Sequence, residues 1–256
     1  MMNEKDLQGI LLDILYCTVN GISDRQDLNE RLTDEVALAV YKLAGRHSLA
    51  HLISQYVFEN RIGISPETAA GFQQAQILCV YKHERMKHAY GQICGAFEEA
   101  EVAYIPLKGS VLRDFYPDES MRTSCDIDIL VREEELDRAV NVLVEKGFRC
   151  GERHYHDISL YAPNGTHLEL HFNIQENMEQ LDTVLKHAWE YAQPEQGMRY
   201  GFRREFFVFH MYAHMAYHFL SGGCGISLCR KTSEKGGDLP ICRGNEPDRQ
   251  SMPDIP

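Results

Sequence analysis

The sequence is poor in cations, has a single tryptophan, and lacks both a long apolar run and a Cys-x-x-Cys pair. Lys and Arg number 26 against 38 Asp and Glu, a formal net charge of −12. A surface of that sign has no broad attraction for nucleic acid or anionic lipid, although a local basic groove stays open. A small-molecule or protein partner is therefore expected, and a long duplex is not. No apolar stretch approaches the roughly 20 residues of a membrane-spanning helix. The opening Met1-Met2-Asn3-Glu4-Lys5-Asp6 has neither the charged nor the apolar region of a signal peptide. A cytoplasmic location is the expectation. The eight cysteines are dispersed, at 17, 79, 94, 125, 150, 224, 229 and 242. That spacing suits reduced thiols better than a disulfide frame or a zinc site.

What is present is a normal core fraction, 44% hydrophobic over 256 residues, enough for one large domain or two small ones. The most informative stretch runs from Leu107 to Val131. Val102 to Leu107 reads as a short buried strand, and Lys108-Gly109-Ser110 as a turn into the amphipathic run Val111 to Tyr116. At such a turn Gly109 lets the backbone approach a ligand, Ser110 offers a hydroxyl and an N-cap, and the first helical amides are free donors. A phosphate would fit there. In Asp126-Ile127-Asp128-Ile129-Leu130-Val131 the period of two sets both carboxylates on one face of a strand. Two like charges so close resist joint ionisation, so the pair either binds a cation or carries a raised pKa. Without metal the pair adds nothing to stability, and Asp126→Asn or Asp128→Asn is expected to spare the fold.

Around this stretch the periodicity is clear. Asp6 to Asn60 carries helical stripes, and Pro66 opens a helix to about Ala100. Its basic run, Lys82, His83, Arg85, Lys87 and His88, reads as a solvated helix face. Glu133 to Glu135 suits a helix start, Leu136, Ala139, Val140, Leu143 and Val144 its buried stripe, and Gly147 its end. Ile158 to Ala162, Pro163-Asn164-Gly165-Thr166 and His167 to Phe172 form a β-hairpin. Its second strand sets His167, Glu169 and His171 on one face and Leu168, Leu170 and Phe172 on the other. Leu181 to Tyr191 and Glu205 to Leu220 are further helices. The latter is apolar almost all round and belongs in an interior, apart from His210, His214 and His218, which are too widely spaced to bind one ion together.

Gly109-Ser110 followed by a helix and Asp126-Ile127-Asp128 resembles the signature of the polymerase-beta-like nucleotidyltransferase superfamily. The fuller string Leu107-Lys108-Gly109, Tyr116-Pro117, Arg122, Asp126 to Val131 and Glu169-Leu170-His171 resembles its uncharacterised bacterial nucleotidyltransferase-like family. The resemblance covers roughly residues 77 to 226. It implies an α+β fold, a small mixed sheet with flanking helices, behind an N-terminal helical region. The expected divisions are a helical region over 1–100, a catalytic core over 101–175, helices over 176–220 and a disordered or aberrant tail over 221–256. It further implies transfer of a nucleoside monophosphate from an NTP to an unidentified small-molecule or protein acceptor. Asp126, Asp128 and Glu169 would hold two Mg²⁺ or Mn²⁺ ions, and Lys108, Gly109, Ser110 and Arg122 would hold the nucleotide.

Two rival classes share parts of the pattern. A metal-dependent phosphodiesterase uses paired carboxylates but needs no triphosphate seat before them. A non-catalytic or truncated nucleotide-binding relic fits the abrupt change after Ser221 to Gly-, Pro- and charge-rich chain. That change suggests a lost helical region more than a natural tail, with cleavage by proteases expected between Cys229 and Arg249.

Overall fold

In a computed structural model, which describes residues 3–23, 25–175 and 178–220, the chain is a mixed α+β structure. It begins with α1 (Glu4–Val19), α2 (Gln26–Arg31), α3 (Asp34–Gly45) and α4 (Ala50–Glu59). Their stripes, Ile10, Ile14, Leu28, Val40, Ile53 and Val57, pack into one cluster that also takes Phe72 from α5 (Pro66–Glu99). Helix α5 starts as the sequence indicates: Ser65 accepts from the Thr68 amide, and Pro66 occupies the first turn, where its missing N–H costs nothing. Its 34 residues, roughly 50 Å of helix, carry it from that cluster to a second one under the sheet.

The sheet is assembled from β1 (Tyr104–Pro106), β2 (Asp126–Val131), β3 (Arg149–Arg153), β4 (Asp157–Tyr161), β5 (His167–His171), β6 (Ala192–Gln196) and β7 (Arg199–Phe202). Its order is β3-β4-β5-β2-β1-β7-β6. Short helices α6 (Lys108–Leu112) and α7 (Leu136–Glu145) follow β1 and β2; α8 (Glu179–Leu185) and α9 (Arg204–Leu220) flank the last hairpin. Gly147, at φ +89°, closes α7 in the left-handed conformation that a Cβ disfavours.

Strand alternation decides where the site lies. Ile127, Ile129 and Val131 of β2, Ile158 and Leu160 of β4, and Leu168 and Leu170 of β5 share one face, buried beneath Ile93 and Phe97 of α5 and Ala139, Val140 and Leu143 of α7. The intervening residues take the opposite face. There Ile105, Leu107 and Leu130 pack with Leu185, Ala188, Phe206 and Ala213, so α8 and α9 cover one part of that face. Asp126, Asp128, His167, Glu169, His171, Asp157 and Ser159 occupy the remainder, by register.

Three sequence expectations need correction. The helix expected over Leu181 to Tyr191 stops at Leu185 and resumes as a 3₁₀ turn, Ala188–Tyr191, because the chain must turn there into β6. Tyr191 stacks on Phe206, with centroids 4.4 Å apart, and fixes that turn. Helix α9 buries only Phe206, His210 and Ala213 among the described residues, leaving Tyr212, Met215, Phe219 and Leu220 exposed. Its interior character is confined to one face. Val144 of α7 is likewise exposed. The expectations for the tail over 221–256 lie outside the described residues.

Candidate functional site

Parallel pairing of β2 with β5 sets Asp128 beside Glu169 and Asp126 beside His167. The three carboxylates expected to act together thus come from neighbouring strands on one sheet face. One ligand atom each from Asp126, His167 and Glu169 lie within 4.8 Å of one another, and the same holds for Asp128, Glu169 and His171. Glu169 belongs to both groups.

Lys108 enters through the backbone. The Leu107 amide donates to the Asp128 carbonyl at 2.9 Å, which fixes the end of β1 against β2. The Lys108 ammonium, one residue on, reaches the Asp128 Oδ1 at 2.9 Å. Lys108 adopts φ +40°, a left-handed conformation that costs a non-glycine residue on the order of 1 kcal/mol. Strain of this kind persists only where the surroundings impose it, and here the β1–β2 ladder does so. On the other side, the His171 Nε2 lies 3.2 Å from Asp128 Oδ1 and 3.5 Å from Glu169 Oε2.

The charges divide the two aspartates. Burial, then the neighbouring Asp128 and Glu169, push the Asp126 carboxyl up to about 6. Asp128 is also buried, which alone would raise it, but Lys108 and His171 outweigh this and hold it well below the usual carboxylate range. Burial would lower the His171 imidazole; its hydrogen bonds to Asp128 and Glu169 instead raise it to about 9. At neutral pH, Asp128 is an anion between two cations. Asp126 keeps the penalty of burial and of its neighbours' charge, only partly offset by Lys108.

Gly109 is buried in α6, where a Cβ would sit 3.4 Å from Ser124 and 3.8 Å from Arg122 Nη2. The structure therefore brings Gly109 and Arg122 together. Ser110 is not the N-cap. Leu107 holds that position without a side-chain cap, and the Ser110 amide is already bonded to the Leu107 carbonyl at 3.1 Å. The helix begins earlier than the small-residue turn suggests because Leu107 is held in the ladder. The basic run of α5 is mostly solvated, with Lys87 and His83 at 3.4 and 3.6 Å from Glu119. His214 and His218 hydrogen-bond to each other at 3.0 Å, and His210 lies edge-on to Phe202.

Two polar residues escaped sequence reasoning. His171 read as an ordinary strand-face residue, although its spacing from Glu169 was the available signal. Arg113 read as part of an amphipathic helix, yet it is buried, with Nη2 2.9 Å from Ser124 Oγ and Nε lacking a partner. Burial first, then Arg122, hold its pKa below the ordinary value. An arginine inside an amphipathic run gives no sign of that burial.

No curated protein and no solved structure matches the chain. A family model described as "Uncharacterised nucleotidyltransferase" matches residues 35–229, which takes in the Lys108–Ser110 turn and all three carboxylates. With most of its length under that model, and with an α+β architecture consistent with it, the chain belongs to the uncharacterised nucleotidyltransferase family.

Proposed function

We propose that the polar face of β2 and β5 transfers a nucleoside monophosphate from an NTP to an acceptor hydroxyl. The region 101–175 serves as the catalytic core, with the helices of 1–100 and, over 176–220, α8, the β6–β7 hairpin and α9 beside it. The observation that carries this reading is the parallel register that sets Asp128 against Glu169 with Asp126 in the adjoining row.

The donor set suits a hard divalent cation. Asp126, Asp128 and Glu169 offer carboxylate oxygens, and burial first, then the charges of Asp128 and Glu169, raise the Asp126 pKa, a penalty that a cation would relieve. Mg²⁺ or Mn²⁺ is the expected ion. Bound there, it would lower the pKa of the acceptor hydroxyl and stabilise the departing pyrophosphate. The protein's own groups bind and orient. Gly109, having no side chain, lets a phosphate approach the backbone at α6, and the Ser110 hydroxyl adds a donor. Lys108 and Arg122 neutralise charge on the phosphates, and the fixed position of Lys108 beside Asp128 means little reorganisation is needed. The acceptor is a small molecule or a protein, in keeping with the net charge of −12.

The test is to melt the purified full chain with each of the four NTPs, with and without Mg²⁺, and then to seek label transfer from the α-³²P form of the stabilising NTP. A Mg²⁺-dependent rise in Tm with at least one NTP, lost in Asp126→Asn, supports the reading. No shift with any NTP and no labelled product overturns it.

A further inference from the structure

On the same sheet face, one row beyond Glu169, Asp157 of β4 lies in register with His171 of β5. His156, the residue before β4, stacks its ring on that of His171 at 5.6 Å and places Nε2 3.1 Å from Asp157 Oδ2. One ligand atom from each of these three residues lies within 4.8 Å of the other two. Each also keeps one buried polar atom without a hydrogen-bond partner: Nδ1 of His156, Oδ1 of Asp157 and Nδ1 of His171. His171 and Asp157 are only 3% and 4% exposed, so solvent does not satisfy those atoms readily. A buried polar atom without a partner is destabilising, so each of the three leaves a demand for a ligand in this cluster.

We infer that His156, Asp157 and His171 form a second cation site, for a first-row transition ion of the zinc type, adjoining the Asp126, Asp128 and Glu169 carboxylates through His171. The ligand chemistry sets the class. Two imidazoles and one carboxylate suit zinc-like ions, whereas Mg²⁺ prefers oxygen alone. The arrangement of His171 favours it further. Its Nε2 is committed to Asp128 and Glu169, so an arriving ion would displace the proton at Nδ1 and bind the lone pair left there. A metal-bound histidine whose other nitrogen donates to a carboxylate is the usual way that such a ligand is oriented and made more basic. Asp128 is thereby a positioning residue for the second ion. The inference does not depend on nucleotide transfer, and its readout is binding alone.

Co²⁺ serves as the probe, added to the chelator-treated full chain and followed by its visible d–d absorption and by bound-metal analysis. With excess Mg²⁺ present to occupy the carboxylates, the expected result is saturation near one equivalent without a strong near-ultraviolet thiolate band. Binding should persist in Asp126→Asn, weaken at least tenfold in His156→Ala, and weaken about 10–100-fold in Asp128→Asn. A folded His156→Ala that binds Co²⁺ as wild type does overturns the site. A thiolate band, or loss of binding in His214→Ala instead, also overturns it by placing the ion elsewhere. If His156→Ala does not melt cooperatively, His156→Gln, which keeps the bulk of the side chain, gives the same comparison.

Discussion

Lys108 at the start of α6 and Asp128 within β2, twenty positions apart in sequence, form an ion pair of 2.9 Å, with only 6% of the Asp128 side chain exposed. This pair changes what the acidic strand means for stability. From sequence, neither aspartate contributes to the fold without metal. In the structure only Asp126 has that character, because Asp128 is already neutralised from two sides.

Asp128→Asn is therefore expected to destabilise the apo protein. It leaves Lys108 and His171 as cations without their shared acceptor, and breaking a buried pair in this way costs on the order of 3 kcal/mol. Urea unfolding of wild type and variant is the check. Equal midpoints would show that the pair contributes nothing.

Asp126→Asn is expected to act in the opposite sense, and only above acid pH. The folded-state pKa is raised from 3.8 to about 6, so the native form binds its proton more tightly than the unfolded chain. Stability from that proton is complete below about 4 and is lost as pH rises through 6. The asparagine variant should match the wild-type Tm near pH 4 and exceed it at pH 7. Adding Mg²⁺ should close the gap, since only wild type gains the ion. A pH-independent difference would contradict this.

His171 titrates in the same direction over a higher window. Its folded pKa of about 9, above the ordinary imidazole value of 6.5, gives stability that is full below about 6.5 and lost as pH rises through 9. In His171→Gln the decline in Tm between pH 7 and 9.5 should flatten. Persistence of the wild-type slope in that variant would assign the decline to other groups.

Lys108 allows the strain and the charge to be separated. Lys108→Ala and Lys108→Gly both remove the ammonium, but only glycine relaxes φ +40°. The glycine variant should be more stable by about 1 kcal/mol, while both lose NTP-dependent thermal shift equally. A glycine variant no more stable than the alanine one would mean that the backbone is unstrained at that position.

The two sheet faces predict opposite phenotypes. Leu170→Ala empties a fully buried position under α5 and α7 and should cost about 2–5 kcal/mol. Glu169→Gln, its neighbour on the other face, should fold normally and lose Mg²⁺·NTP binding. If Glu169→Gln binds as wild type does, the carboxylate has no role in the site.

Much of this was legible where a period persisted. Strand β2, the β4–β5 hairpin with its Asn164-Gly165 turn, and helices α5 and α7 lie within a residue or two of their sequence positions, because burial on one side leaves a direct trace. Strand β6, Ala192-Gln193-Pro194-Glu195-Gln196, is mostly exposed and carries no alternation, so only its pairing with β7 defines it. The same holds for β3, an edge strand exposed except at Cys150, which packs against the core. In the site, the order of Gly109, Asp126, Asp128 and Glu169 was readable. The engagement of Asp128 by Lys108 and His171, and the burial of Arg113, arise from tertiary contacts that no local pattern records.

The parallel pairing of β2 with β5 also sets a sequence of events during synthesis. Lys108 and Asp128 can meet as soon as the β1–β2 pair forms, but His171 follows Asp128 by 43 residues, with α7 and a hairpin between them. A growing chain thus neutralises Asp128 locally before Glu169 exists to repel it. Contacts of long sequence separation form slowly, so closing the β2–β5 ladder should be the late step, and a nascent chain that stops short of His171 can already pair Asp128 with its own lysine.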